Sequence, residues 1–322
     1  MTDKALLGLA DFGINLTTAD PNIARAIFRY SELHGLHASK SVRGSVHQAQ
    51  AVHSTLQPPL FNNVTKGQAA KLRGSQEHGI VLETGLGILT PVAEADIDFD
   101  NGIIHAIDSN MVLPHNISET ARLSKDMTLF AELLSKSQSI STLETLSDAT
   151  FFIPQDSAIL ALSPVLDMLT SAQLASIVKQ HAVPNQVLYQ NLIGETSTRL
   201  ETLAGTSLQV RRGKRGEIYV DGAEVVRTDI LLYGGVAHLI DQVLLPDRES
   251  TFCDTRDQRS YSACSGEKKL ISKAWSVITS QHFILGATVI LAAVTLYLRK
   301  MRALSMHQRI VTKEEIGEYE KV

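Results

Sequence analysis

The sequence predicts an α+β chain of tandem domains, each with helices packed on or beside an antiparallel β-sandwich or wedge, followed by a single C-terminal transmembrane helix. Three observations predict it. The spacing of apolar residues changes from helical to alternating within one stretch, a block of sequence recurs at domain spacing, and one uncharged apolar run lies near the C-terminus.

The helical part begins with Leu123, Met127, Phe130 and Leu134 on one face. It continues through short helices expected to start near Ser163-Pro164 and Ser171, the last with Leu174, Ile177 and Val178 as its apolar stripe. From about Leu200 the period becomes two. Leu208 and Val210, then Ile218 and Val220, face one way across turns at Arg212-Gly213 and Asp221-Gly222, which predicts an antiparallel sheet.

The repeat is a self-match. Asp96-Ile97, Gly102-Ile-Ile-His105-Ala-Ile-Asp108 and Val112-Leu-Pro recur as Asp229-Ile230, Gly235-Val-Ala-His238-Leu-Ile-Asp241 and Leu244-Leu-Pro. The offset of 133 residues, Asp96 to Asp229, is too long for a solenoid unit and suits two globular domains.

The third observation is Phe283 to Leu298, whose 16 residues are uncharged. At ~1.5 Å rise they cover only ~24 Å, short of a ~30 Å hydrocarbon core. The run extends back through Ile278 and Val277 to Trp275 at the interface, so a span is expected over residues 275–298. Lys268, Lys269 and Lys273 precede it, and Arg299, Lys300, Arg302 and Arg309 follow, a narrow basic excess on the C-terminal side.

Net charge is -4, with 30 Lys+Arg against 34 Asp+Glu, which gives no global electrostatic reason to bind nucleic acid. The two cysteines, Cys253 and Cys264, share one short polar stretch and can make neither a four-ligand zinc site nor a disulfide-rich framework. Either they stay free thiols, or one local bridge forms and contributes roughly 2 to 3 kcal/mol in an oxidising compartment. Sequons at Asn15, Asn63 and Asn116 lie upstream of the span and, with the cysteine pair, favour a luminal or extracellular N-terminal region. The N-terminal sequence carries no signal-peptide pattern.

Around the second repeat copy, the chain resembles the fasciclin-like (FAS1) domain family. Thr150-Phe-Phe-Ile-Pro-Gln-Asp-Ser-Ala-Ile159 is similar to the family's first box, and Gln180-His181-Ala-Val-Pro to its tyrosine-histidine motif with Tyr replaced. Gly235 to Pro246 resembles the second box. The first copy is less complete. Tyr30-Ser31-Glu32-Leu33-His34-Gly35 matches the central motif with Ser31 in place of histidine, and nothing before it resembles the first box. The expected division is therefore a FAS1 domain at 1–117, N-terminally truncated, and a second at 118–247. A stalk at 248–274, the membrane helix at 275–298 and a cytoplasmic tail at 299–322 complete it.

The resemblance implies structural roles for His105, His181, His238, Asp108 and Asp241, and adhesion through protein or glycan partners. No catalytic residue, metal site or cofactor is expected. His34, His37, His47 and His53 lack carboxylates or cysteines at ligand spacing, and Gly85-Leu-Gly87 lacks the third glycine of a dinucleotide fingerprint, so it reads as a turn. Arg211, Arg212, Lys214 and Arg215 form one basic hairpin tip, either solvated or open to anionic lipid or glycan. The tail ends in Tyr319-Glu-Lys-Val322, which resembles a tyrosine-based sorting signal read by an adaptor. Fungal members of this layout include vacuolar-membrane proteins linked to autophagosome fusion. The expected protein is thus bilayer-anchored at the vacuolar or lysosomal membrane and acts in membrane contact, with cell-surface adhesion at the plasma membrane second and a tail-anchored cytosolic adaptor as the alternative.

Overall fold

A computed structural model describes residues 1–245 except 13, 16, 17, 44 to 48 and 78. The expected stalk, span and tail, with Cys253, Cys264, Tyr319 and Val322, lie outside the described residues. Among the described residues no helix is long and apolar enough to cross a membrane.

The first half opens with helices α1 (Asp3–Gly8), α2 (Pro21–Ser31) and α3 (Ser39–Arg43). A five-stranded sheet follows, of β1 (Gln50–His53), β2 (Ala69–Ser75), β3 (Gly79–Glu83), β4 (Leu89–Phe99) and β5 (Gly102–Ile107), paired antiparallel in chain order. Gly85 sits in a short 3-10 turn between β3 and β4, as the turn reading expects, and a Cβ there would lie 2.6 Å from Leu113 O. The core gathers Ala26 and Tyr30 from α2 against Val52, Leu72, Ile80 and Leu82.

The second half starts with α4 (Ile117–Leu123), α5 (Thr128–Lys136) and α6 (Ile140–Glu144), then β6 (Ala149–Pro154), α7 (Asp156–Leu166), α8 (Ser171–Gln180) and β7 (Ala182–Val183). Five strands complete it: β8 (Thr198–Glu201), β9 (Ser207–Arg212), β10 (Ile218–Val220), β11 (Ala223–Leu232) and β12 (Gly235–Ile240). They form one seven-stranded sheet in the order β7-β6-β12-β11-β10-β9-β8. Leu200, Leu208, Val210, Ile218 and Val220 share one core, as the alternation predicts. Asp221 and Gly222 both take positive φ, the geometry of a tight primed hairpin turn.

Three expectations need correction. The sheet is not wholly antiparallel, because β12 pairs parallel with β6 from Gly235↔Ala149 to Ile240↔Pro154. Both strands are buried on both faces. Phe151, Ile153, Ala237 and Leu239 meet the helices, while Phe152 and Ile240 meet the hairpins, so neither strand shows the one-sided alternation that identifies an antiparallel edge. The pairing also demands glycine at 235. Its φ is +153°, and a Cβ would fall 1.8 Å from Ala149 O.

The second correction concerns α7, which starts at Asp156 and runs through Pro164. Proline cannot donate to the carbonyl four residues back, but the Ser163 hydroxyl donates to Leu160 O at 2.9 Å and takes that place. Asp156, the first residue of α7, ties it to the start of α5 by accepting from the Leu129 N–H at 2.9 Å and the Thr128 hydroxyl at 2.6 Å. Third, Leu123 is exposed and stands apart from Met127, Phe130 and Leu134, because the chain breaks between α4 and α5.

Candidate functional site

The repeated histidines mark the same construction in both halves. Each lies on the last strand, opposite a bulge in the strand before it, and each bulge carries an aspartate at positive φ: Asp96 at 58° and Asp229 at 53°. The Asp96 N–H donates to His105 Nδ1 at 3.2 Å, and the Asp229 N–H to His238 Nδ1 at 3.4 Å. The proton therefore sits on Nε2, which donates to His37 O at 2.9 Å in the first half and to Leu188 O at 2.8 Å in the second. The aspartates reach out in turn. Asp96 Oδ1 accepts from Ser39 N–H and Asp229 Oδ1 from Gln190 N–H, each at 2.8 Å. A histidine and an aspartate thus clasp a distant loop to the bulge, and both ring nitrogens are spent on main-chain groups.

The clasps differ in burial. His238 is fully buried and stacks on Phe152 at 5.7 Å, while His105 is partly exposed. Burial pushes the His238 pKa down, with the Asp229 carboxylate opposing, and burial pushes Asp229 up. Asp229 Oδ2 and Tyr189 Oη are buried with no partner, and burial raises the Tyr189 pKa further than the nearby Asp229 charge does.

The central motifs are a second matched pair. His181 caps α8, donates from Nδ1 to Ile177 O at 2.8 Å and accepts from Leu244 N–H at 2.9 Å on Nε2. Burial lowers its pKa to about 4. In the first half Ser31 ends α2 and donates to Ile27 O at 2.9 Å, again four residues back. The preceding residue also matches in role. The Tyr30 hydroxyl donates to Ala69 O at 2.8 Å, and Gln180 Oε1 accepts from the Thr206 hydroxyl, so both reach the start of the long hairpin.

Asp108 accepts from the Thr2 hydroxyl at 2.8 Å with Lys4 at 3.6 Å, and Asp241 accepts from Glu224 N–H at 2.8 Å. The basic tip is reduced relative to the sequence reading. Arg212 is committed to the carbonyls of Ile193, Gly216 and Gln190, and Arg211 lies 5.4 Å from the Tyr219 ring centroid, which leaves Lys214 and Arg215 as the exposed cations. His34, His37 and His53 do not converge on a ligand. The His37 ring meets His34 O and the His53 ring meets Gly67 O, both at 2.8 Å, while His47 is outside the described residues.

Among the sequons, Asn15 is exposed. Asn63 is half-buried where the halves meet, with Nδ2 donating to Leu146 O at 3.0 Å. Asn116 caps α4 through Oδ1, which accepts from Glu119 N–H at 2.9 Å. The junction around Asn63 is the part that sequence reasoning missed. Gln68 donates to Leu232 O at 3.0 Å, Asn63 N–H to Tyr233 O at 2.8 Å, and His53 meets Tyr189 edge-on. Its one signal in the sequence is a set of polar residues, Asn62, Gln68 and Ser54, that turn out fully buried.

The family model described as Fasciclin domain matches residues 125–246. A protein named fasciclin-like arabinogalactan protein from Cercospora beticola is 56% identical over 326 residues, covering 100% of this chain and 85% of that protein. Another of that name from Phaeosphaeria nodorum is 36% identical over 269 residues, covering 84% of this chain and 82% of that one. Among solved structures, a FAS1 domain pair from the insect cell adhesion molecule Fasciclin I aligns at 20% identity over 76% of this chain and 86% of that chain, with a TM-score of 0.41.

Proposed function

The chain belongs to the fasciclin (FAS1) family, and from that premise we propose that it is a membrane-associated adhesion protein that works by binding protein or glycan partners, without catalysis. The observation that carries the reading is 56% identity along the whole chain to a protein named fasciclin-like arabinogalactan protein. The site geometry supports it. The histidines with the look of catalytic residues hold loops in place, which suits a rigid scaffold presenting a surface.

In this reading residues 1–117 and 118–247 are two FAS1 units, 248–274 a stalk with a Cys253–Cys264 bridge, 275–298 a bilayer anchor and 299–322 a cytoplasmic tail. Glycans attach first at exposed Asn15. Asn63 and Asn116 acquire them before their side chains are engaged by folding. Tyr319 and Val322 direct the protein to the vacuolar membrane, where it acts in membrane contact during fusion with autophagosomes.

Displaying the full chain on a non-adherent yeast should raise cell-cell aggregation over an empty anchor, and equal aggregation would reject adhesion. Protease treatment of sealed vesicles should spare the N-terminal region, with an endoglycosidase shift. Complete digestion without a shift favours the cytosolic adaptor instead. Tyr319→Ala should move the protein to the plasma membrane, and an unchanged location removes the vacuolar assignment.

A further inference from the structure

The repeat sets the last strands of the two halves in register, so each main-chain group of β5 has a counterpart 133 residues on, in β12. In the second half β6 lies between β12 and β7, parallel to the first and antiparallel to the second. Three further main-chain bonds hold it and the residue after it. The Ala149 N–H donates to Gly234 O, the Phe152 N–H to His181 O and the Gln155 N–H to Ile240 O, each at 2.9 Å. Phe151 and Ile153 of β6 share one core with Ala237 of β12 and Val178 of α8, both 0% exposed.

The first half keeps the frame around that place. The Thr2 N–H donates to Ile107 O at 2.9 Å, as the Gln155 N–H does to Ile240 O. Tyr30, at the end of α2, shares a core with Ile107, and the His105 clasp matches that of His238. What the frame encloses is bare. Asn101 O and Ser31 O, the counterparts of Gly234 O and His181 O, accept from no described residue, and β5 borders no strand on that side among the described residues. Ile104 and Phe28, at the positions of Ala237 and Val178, are 48% and 49% exposed. An unpaired strand edge beside exposed apolar side chains is a template for strand addition, in which main-chain bonds hold the guest and alternate side chains select it.

We propose that the first half binds an extended apolar segment of a partner protein, which lies parallel to β5 and fills the place that β6 fills in the second half. The second half also defines the occupant: six residues, Ala-Thr-Phe-Phe-Ile-Pro in β6, apolar on both faces. The end of α2 closes the far side of the slot, as the end of α8 does in the second half, so a free segment enters where the sheet edge of a second folded copy would meet α2. The match between the halves carries this, whatever the protein's location or adhesive activity. The probe is a capped, fluorescent peptide with the sequence of β6, titrated into the full chain in detergent micelles. Its anisotropy should saturate with a Kd on the order of 100 μM. A peptide N-methylated at the second phenylalanine, which lacks the N–H matched to that of Phe152, should bind about tenfold more weakly. Hydrogen-exchange protection should rise over residues 103–106 and stay unchanged over 236–239. Ile104→Asp and Phe28→Asp, on exposed side chains, should each abolish saturable binding while the urea midpoint stays that of the parent chain. No saturation, equal binding of the two peptides, or binding that survives both substitutions overturns the proposal. So does a dimer in sedimentation that Ile104→Asp dissociates, because it assigns the edge to a second copy.

Discussion

The two halves use one framework but divide a shared set of residues between them. The second half keeps histidine at the helix end and replaces the preceding tyrosine by Gln180, while the first keeps Tyr30 and replaces the histidine by Ser31. In each case the substitute makes the bond that the position requires: Ser31 to the carbonyl four residues back, Gln180 to the start of the hairpin. The position constrains hydrogen-bond geometry more tightly than residue type. Where the halves diverge is in burial, since β12 lies between β11 and β6, whereas β5 borders no further strand among the described residues.

The sharpest test of that divergence is the glycine opening each last strand. Gly235→Ala drives a Cβ into the Ala149 carbonyl at positive φ and should cost more than about 4 kcal/mol. Gly102→Ala meets only the Phe99 ring, at 3.3 Å, and should cost about 1 kcal/mol or less. Urea denaturation of both variants reads the difference, and equal losses would break the comparison.

The histidine clasps come next. His238→Ala leaves Leu188 O and Asp229 N–H buried without partners and should cost about 3 kcal/mol or more. His105→Ala removes the same pair of bonds from a partly exposed site, where water replaces them, and should cost roughly 1 kcal/mol. Thermal midpoints of the two variants give the ratio.

The third prediction concerns pH. His181 is held neutral in the folded protein down to about 4, while the unfolded chain titrates near 6.5. The unfolded state therefore takes up the proton first, and stability should fall as pH drops from about 6.5 to about 4, by up to roughly 3 kcal/mol. His238 acts in the same direction, and Asp229, raised by burial above the ordinary carboxylate value of 3.8, adds an opposing slope as pH falls from its folded value toward 3.8. Ser31 does not titrate, so hydrogen-exchange protection followed across this range should weaken around α8 and β7 and stay unchanged in α2. The smallest effect belongs to the motif partners. Tyr30→Phe and Gln180→Met should each cost about 1 kcal/mol by denaturant titration, because each keeps the packing while the first removes one hydrogen bond and the second the pair that Oε1 accepts from the neighbouring Thr202 and Thr206 hydroxyls, which still bond to each other.

The hairpins were legible in the sequence because Leu208, Val210, Ile218 and Val220 bury one face while Gln209, Arg211 and Tyr219 on the other are only partly buried. The strand over Ala149–Pro154 was legible as a family box, but its partner was not. Burial on both sides erases alternation, and parallel pairing leaves no turn to read. Pro164 misled for a local reason, since a neighbouring serine hydroxyl stands in for the missing main-chain donor. The spacing of glycine, histidine and aspartate located the clasps, yet their acceptors, His37 O and Leu188 O, lie in loops that only the fold brings near. The halves' junction rests on Asn63, Thr65 and Gln68, residues whose sequence context is that of an ordinary polar loop.

The parallel pairing of β12 with β6 also sets an order of events during synthesis. Ala149 leaves the ribosome long before Gly235, so β6 and the helices around it wait for the strand that fills the middle of their sheet. Until Ile240 emerges, Phe151, Phe152 and Ile153 have no partner on that side, and the nascent half exposes an apolar edge. Closing so distant a contact adds a loop-closure cost to folding of the second half, and its open apolar edge calls for chaperone protection until β12 docks.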